Sequence, residues 1–170
     1  MEEIEVKITD VDVKATIKKL EDLGAKKVHE ANQRFVLYDY PDLRLKKEGK
    51  IFRLRENGHK IEMTLKERVS KDKSKIMIEH ETNISDLETA KKIVSSIGMV
   101  ETTKGEKHRI SYRVKNVEFE FDTIPGIPTY LEIEAPDEKT LFEYVKKLGF
   151  KESDAKPWTS KDIVEYYNNE

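Results

Sequence analysis

Apolar and charged residues alternate along most of this chain. In the opening MEEIEVKITD, Ile4, Val6 and Ile8 fall on one side and Glu3, Glu5 and Lys7 on the other, the two-residue period of a half-buried strand. Residues 26–40 are extended in character. The runs KIFRLRE and KIEMTLKE flank Asn57-Gly58, which predicts a hairpin because both turn residues tolerate positive φ. Further strands are expected in KSKIMIEHE, GEKHRISYRV, VEFEFDTI and YLEIEAP, with a turn at Lys115-Asn116 and a rigid bend at Pro125-Gly126-Ile127-Pro128.

The period becomes helical in three places. Asp10 is placed to cap a helix carrying Val13, Ile17, Leu20 and Leu23 on one face and ended by Gly24. A second helix is expected from about Ser85 to Ile97, closed by Gly98, and a third from about Asp137 to Leu148, closed by Gly149. A last amphipathic segment, SKDIVEYY, follows Pro157-Trp158; Trp158, Tyr166 and Tyr167 suit a helix anchored on the rest of the fold better than a base-stacking platform. No low-complexity linker interrupts the chain, so residues 1–170 are expected to form one domain. Three strand–helix–glycine segments each carry a Glu-x-Glu pair, Glu3/Glu5, Glu79/Glu81 and Glu132/Glu134, a loose repeat that suggests a duplicated plan around one centre.

Composition narrows the function. The 170 residues are 36% hydrophobic and 39% charged, yet the charges are interleaved with Ile, Val, Leu and Phe, so a core can form. With Lys+Arg at 32 and Asp+Glu at 34, a net charge of −2 excludes general nucleic-acid or membrane binding by bulk field. There is no apolar run near 20 residues and no signal-peptide core, so a chain neither spanning nor secreted is expected. The absence of cysteine removes disulfides, thiolate metal sites and cysteine nucleophiles, and a reducing, cytoplasmic location is the default expectation. The glycines fit neither a P-loop nor a dinucleotide fingerprint. His29, His59, His80 and His108 lack zinc-site spacing, and Ser111, Ser153 and Ser160 lack a nucleophile-elbow context. The Lys71-Asp72-Lys73-Ser74-Lys75 stretch is expected to be a solvated loop, with a basic lip on a binding site as the alternative.

Residues i and i+2 of a strand share a face, so each strand contributes a charged face. These faces hold Glu3, Glu5 and Lys7; Arg53 and Arg55; Glu62, Thr64 and Lys66; Glu79 and Glu81; Lys107 and Arg109; Glu118, Glu120 and Asp122; and Glu132 and Glu134. An antiparallel sheet with one wet face would account for the alternation alone. If the sheet instead curls with this face inside, carboxylates sit beside a ring of cations, a lumen suited to a polyanion with a divalent metal.

Glu3-Ile4-Glu5-Val6-Lys7 resembles the ExExK signature of the CYTH superfamily, the triphosphate tunnel metalloenzymes, and the motifs that follow keep the family's order. Arg53-Leu54-Arg55 resembles its R-x-R strand, Thr64-Leu65-Lys66 its T-x-K, Glu79-His80-Glu81 its E-x-E, Lys107-His108-Arg109 its K-x-R, and Asp122 with Glu132-Ile133-Glu134 its late acidic strands. The resemblance implies an α+β fold: a closed eight-stranded antiparallel β-barrel, the triphosphate tunnel, with helices packed outside. It makes Glu3, Glu5, Asp122, Glu132 and Glu134 candidate ligands of Mg²⁺ or Mn²⁺, and Lys7, Arg53, Arg55, Lys66, Lys107 and Arg109 candidate triphosphate ligands. Glu3, Glu5 and Lys7 are the candidate catalytic set, and Glu79 and Glu81 rank second.

The cyclase-like members usually carry Q-x-D-x-Y-F/Y on the second strand. Here Gln33 and Tyr38 are kept, while Phe35 and Leu37 replace the acid and the first tyrosine. The expected activity is that of a class IV adenylyl cyclase, converting ATP to cyclic AMP and pyrophosphate. The alternatives are a triphosphatase acting on inorganic, thiamine or nucleoside triphosphate, and a non-catalytic triphosphate- or polyphosphate-binding module. The expected partner is a nucleotide or inorganic triphosphate, with a homodimer left open.

Overall fold

The alternating segments become eight strands in the computed structural model, which describes residues 2–169. They are β1 (Glu2–Ile8), β2 (Lys26–Asp39), β3 (Lys50–Asn57), β4 (Lys60–Lys71), β5 (Lys75–Asn83), β6 (Val100–Val114), β7 (Val117–Thr123) and β8 (Tyr130–Ala135). All pairs are antiparallel, in the order β1-β5-β4-β3-β2-β6-β7-β8, and β8 returns to β1 to close the barrel. The α+β class and the closed eight-stranded barrel are therefore as the family resemblance implies, and the open sheet with one wet face is not formed.

Around the barrel run α1 (Val13–Asp22), α2 (Arg44–Lys47), α3 (Leu87–Ser96), α4 (Glu138–Lys147) and α5 (Ser160–Asn168). The first helix is capped by Asp12 rather than by Asp10: the Asp12 carboxylate accepts from the Ala15 N–H at 3.0 Å. Asp10 instead adopts φ 56° and exchanges hydrogen bonds with the Tyr167 hydroxyl on α5. Asp86 and Asp137 cap α3 and α4 in the ordinary way. The four-residue α2 was not expected, being too short to show a period. Its turn is fastened by the buried Asp39 carboxylate, which accepts from the N–H groups of Tyr40, Leu45 and Lys46.

The apolar faces point outward. Ile4, Val6, Ile8, Val117, Phe119, Phe121, Leu131 and Ile133 are buried beneath Leu20 of α1 and Leu141, Tyr144 and Val145 of α4. A second, smaller cluster joins Tyr38, Leu54 and Met99 to Ala90 and Val94 of α3. The chain leading into α5 pairs with β1 through reciprocal Lys7–Lys156 backbone hydrogen bonds of 2.8 Å, so α5 lies over one end of the barrel. Among the described residues no helix is long and apolar enough to cross a membrane.

Phe119 is fully buried and meets the Tyr144 ring edge-on at 5.5 Å between centroids. Phe119→Ala is expected to cost about 3–5 kcal/mol in a urea unfolding titration. A cost below about 1 kcal/mol would show that α4 does not depend on this face.

Candidate functional site

Closure sends every charged face into one lumen. The register places Glu5 opposite Glu134 and Lys7 opposite Glu132 across β1–β8. Lys66 lies opposite Glu79, and Arg109 opposite Asp122. A charge taken out of water is costly unless paired, and the lumen is organised by that requirement.

Arg109 is the centre of one group. Its Nε and Nη2 each lie 2.6 Å from the Asp122 oxygens, Nη1 contacts Glu120, and Nη2 is 3.5 Å from Glu132. Lys107 is held by Asp122 at 2.6 Å. Lys7 is fully buried between Glu5 at 2.7 Å and Glu132 at 2.5 Å. A second group lies across β3–β4–β5. Arg53 is 3.7 Å from Glu79 and 3.6 Å from Glu81, Arg55 is 2.6 Å from Glu62, and Lys66 is 2.6 Å from Glu3 and 3.2 Å from Glu79.

All six expected phosphate-binding cations and all of the candidate acids thus share the lumen, but the acids are not equivalent. Glu5, Asp122 and Glu132 are held by lysine and arginine side chains. Burial opposes ionisation of Glu132, yet Lys7, Arg109 and Lys107 hold its carboxyl well below the usual range. Burial likewise opposes, and Arg109 and Lys107 overcome, at Asp122. Glu3 shares Lys66 with Glu79, and burial together with a hydrogen bond to Glu79 pushes its carboxyl up to about 7. Glu134 has no hydrogen bond or ion pair among the described residues; burial, then Glu3, Glu120 and Glu132, push it to about 9.

The acids do not form a ready-made metal cluster: among the described residues no three Asp, Glu or His side chains gather into one. The donor set nevertheless fits a hard divalent cation at Glu134. Glu134 makes no ion pair among the described residues and faces three other carboxyls that Lys66 only partly offsets, and carboxylate oxygens are the ligands that Mg²⁺ and Mn²⁺ prefer.

The structure also adds participants. Lys75 was expected in a solvated loop, but it is 7% exposed and donates to Glu5 Oε1 at 2.7 Å, the oxygen that Lys7 also uses. Its parity with Glu79 and Glu81 was the available signal, masked by Met77 between them. Ser74 is buried as well, donating to Glu138 at 2.6 Å, while Lys71 pairs with Asp162 of α5 at 2.9 Å. At that end of the barrel the Tyr130 hydroxyl lies 3.2 Å from Asp122 Oδ2 and 3.1 Å from Ser160 Oγ. Of the expected histidines, His29 meets Asn57 and His108 faces Glu30.

A closed antiparallel barrel whose lumen pairs carboxylates with a ring of Lys and Arg defines the triphosphate tunnel architecture. The chain matches the CYTH domain family over residues 1–167 and belongs to it. A curated protein of Methanocaldococcus jannaschii, named "putative adenylate cyclase", is 25% identical over 138 residues, spanning 79% of this chain and 77% of that protein. A solved protein from Pyrococcus horikoshii is 27% identical with a TM-score of 0.78, covering 92% of this chain and 96% of the other. A Hippeastrum structure described as having a dominant triphosphatase activity is 16% identical with a TM-score of 0.65, over 99% of this chain and 96% of that one, a likeness of fold.

Two predictions follow from the unequal acids. Glu134 binds a proton in the folded chain that it releases in the unfolded one between its ordinary pKa of 4.5 and about 9. Its contribution to the stability of metal-free protein therefore falls as pH rises through that window. Glu134→Gln is expected to raise the melting temperature at pH 8 by at least about 3 °C and to flatten the decline between pH 5 and 9. An unchanged profile in thermal unfolding would remove the repulsion argument. Glu5→Gln, by contrast, strips a counter-charge from Lys7 and Lys75, and should lower stability by about 2–4 kcal/mol in chemical denaturation; equal stability would mean that Glu5 is not the anchor of these lysines.

Proposed function

We propose that the protein is a divalent-metal-dependent enzyme that processes a triphosphate in the lumen, acting on ATP as an adenylyl cyclase. The observation that carries this reading is the convergence of Lys7, Arg53, Arg55, Lys66, Lys107 and Arg109 on one enclosed space, beside the Glu134 carboxyl, which makes no ion pair among the described residues. Phosphoryl transfer asks for positioning and charge neutralisation more than for covalent help from the protein. The six cations supply both, exchanging their present carboxylate partners for phosphate oxygens.

Glu134, its β1 neighbour Glu5 and Glu3 are the residues proposed to hold Mg²⁺ or Mn²⁺. Asp122 and Glu132 keep Lys107, Arg109 and Lys7 oriented and would join the ligand set only by releasing them. When bound, the cation neutralises phosphate charge and makes the phosphorus more electrophilic. In the cyclase reaction the ribose 3′-oxygen forms a bond to the α-phosphorus. The bond from that phosphorus to the α,β-bridging oxygen breaks, pyrophosphate leaves with the electron pair, and the hydroxyl proton passes to solvent. Arg53, Arg55 and Lys66 hold one flank of the phosphate chain, and Lys7, Lys107 and Arg109 the other.

Water attack on the terminal phosphorus is the second reading. It is favoured by the β2 wall, where Phe35 and Leu37 offer no group to take a proton from a ribose hydroxyl.

The test is product analysis after incubation with ATP and with tripolyphosphate, each with Mg²⁺ and with Mn²⁺. Cyclic AMP and pyrophosphate from ATP, with tripolyphosphate acting only as a competitive inhibitor, are expected. Orthophosphate from both substrates without cyclic nucleotide would replace the cyclase by a triphosphatase, and no turnover of either would leave a binding module.

A further inference from the structure

Two side-chain polar atoms among the described residues are buried without a hydrogen-bond partner, Gln33 Oε1 and Arg53 Nε. Arg53 is one of the proposed phosphate cations, and a phosphate oxygen would satisfy its free donor. Gln33 has the opposite need. Its oxygen accepts, so its partner must carry an N–H or O–H, which a fully ionised phosphate chain lacks.

The orientation of the amide is fixed by its neighbours. Glu62, an acceptor only, takes a hydrogen bond from Asn57 Nδ2 at 2.9 Å. That turns Asn57 Oδ1 toward His29 Nε2 at 2.6 Å and Gln33 Nε2 at 3.1 Å. Reversing Gln33 would set two carbonyl oxygens against each other, so Oε1 is the free end. Gln33 is 1% exposed and lies on the lumen face of β2, opposite Asn57 of β3 and Lys107 of β6. Lys107 is itself engaged by Asp122.

Beside Gln33 the lumen wall changes character. Phe35 and Leu37 share its face, opposite Arg55 and Arg53. The Phe35 ring occupies the space over Gly105, where a Cβ would stand 2.5 Å from the ring. This stretch of the lumen is an apolar, aromatic wall with one unsatisfied acceptor at its end.

We propose that this β2 wall is the subsite for the organic group of an organic triphosphate. Gln33 Oε1 accepts a hydrogen bond from a hydroxyl or amino group of that moiety, and the Phe35 ring bears on its planar or apolar body. The inference rests on the triphosphate reading above and narrows its substrate class to esters that carry a donor, such as nucleoside triphosphates, over inorganic tripolyphosphate.

The test is calorimetric titration, with Mg²⁺, of wild type and Gln33→Leu. The probes are the bis-methylene analogues of ATP, of tripolyphosphate and of its methyl ester, whose P–C–P links prevent turnover at those positions. Wild type is expected to bind the ATP analogue about tenfold or more tightly than the methyl ester, which has the phosphates but no donor. Gln33→Leu should erase most of that difference and leave affinity for the tripolyphosphate analogue within about twofold.

Equal wild-type affinity for the ATP analogue and the methyl ester would overturn the proposal, and this comparison decides even if the variant does not fold. So would a variant that weakens all three alike, the mark of a structural role, or one that keeps the ATP preference. Failure of wild type to bind the tripolyphosphate analogue would instead remove the triphosphate reading on which the proposal stands.

Discussion

A carboxylate or ammonium group enclosed by a barrel has lost its water, and the rest of this structure follows from how that loss is compensated. Arg109 holds three acids, Lys7 bridges two strands' carboxylates, and Lys66 joins β1 to β5 through Glu3 and Glu79. Two of these pairs reach past a neighbouring strand, Lys66 of β4 to Glu3 of β1 and Arg109 of β6 to Glu132 of β8. They also keep the cations extended and aimed inward before any ligand arrives, which lowers the entropic cost of gripping a polyanion. Under the proposed function, the internal acids hold the places that phosphate oxygens would take.

Such a lumen can be largely polar because most of the apolar work is done outside. The larger outer cluster, under α1 and α4, backs β1, β7 and β8, and the smaller one, under α3, backs β2, β3 and β4. The strands that carry Lys7, Asp122 and Glu132 are therefore the ones most firmly supported. Ile93 on α3 and Ile97 just after its end remain largely exposed, so the two sides of the barrel are covered unequally.

Much of this was legible because a strand's period of two is strict: once Glu3 points inward, Glu5 and Lys7 must too, and the same parity sorts Arg53/Arg55 and Lys107/Arg109. Helix ends set by glycine were close as well. What periodicity could not carry was pairing between strands. It groups Glu5 with Glu134 as acids, but does not show that Lys75 reaches Glu5 while Glu134 makes no ion pair among the described residues. Nor could it show that Gln33, Asn57 and Glu62 form a chain that fixes an amide, since those residues come from three strands. The lysine-rich stretch before β5 misled for a related reason, because composition does not reveal which lysine has an acid across the barrel. The shift from Asp10 to Asp12 as helix cap likewise depends on Tyr167, more than 150 residues away.

The return of β8 to β1 has a consequence for how this protein meets others. An open sheet ends in two strands with unpaired N–H and C=O groups, and those rims invite pairing with a foreign strand. Here every strand already has two partners, so the barrel offers no rim to template strand addition. A highly charged chain with long β-segments thereby escapes, by closure, the commonest route to edge-to-edge aggregation. Association with another protein chain is left to its helices, its loops and the outward side chains of its strands.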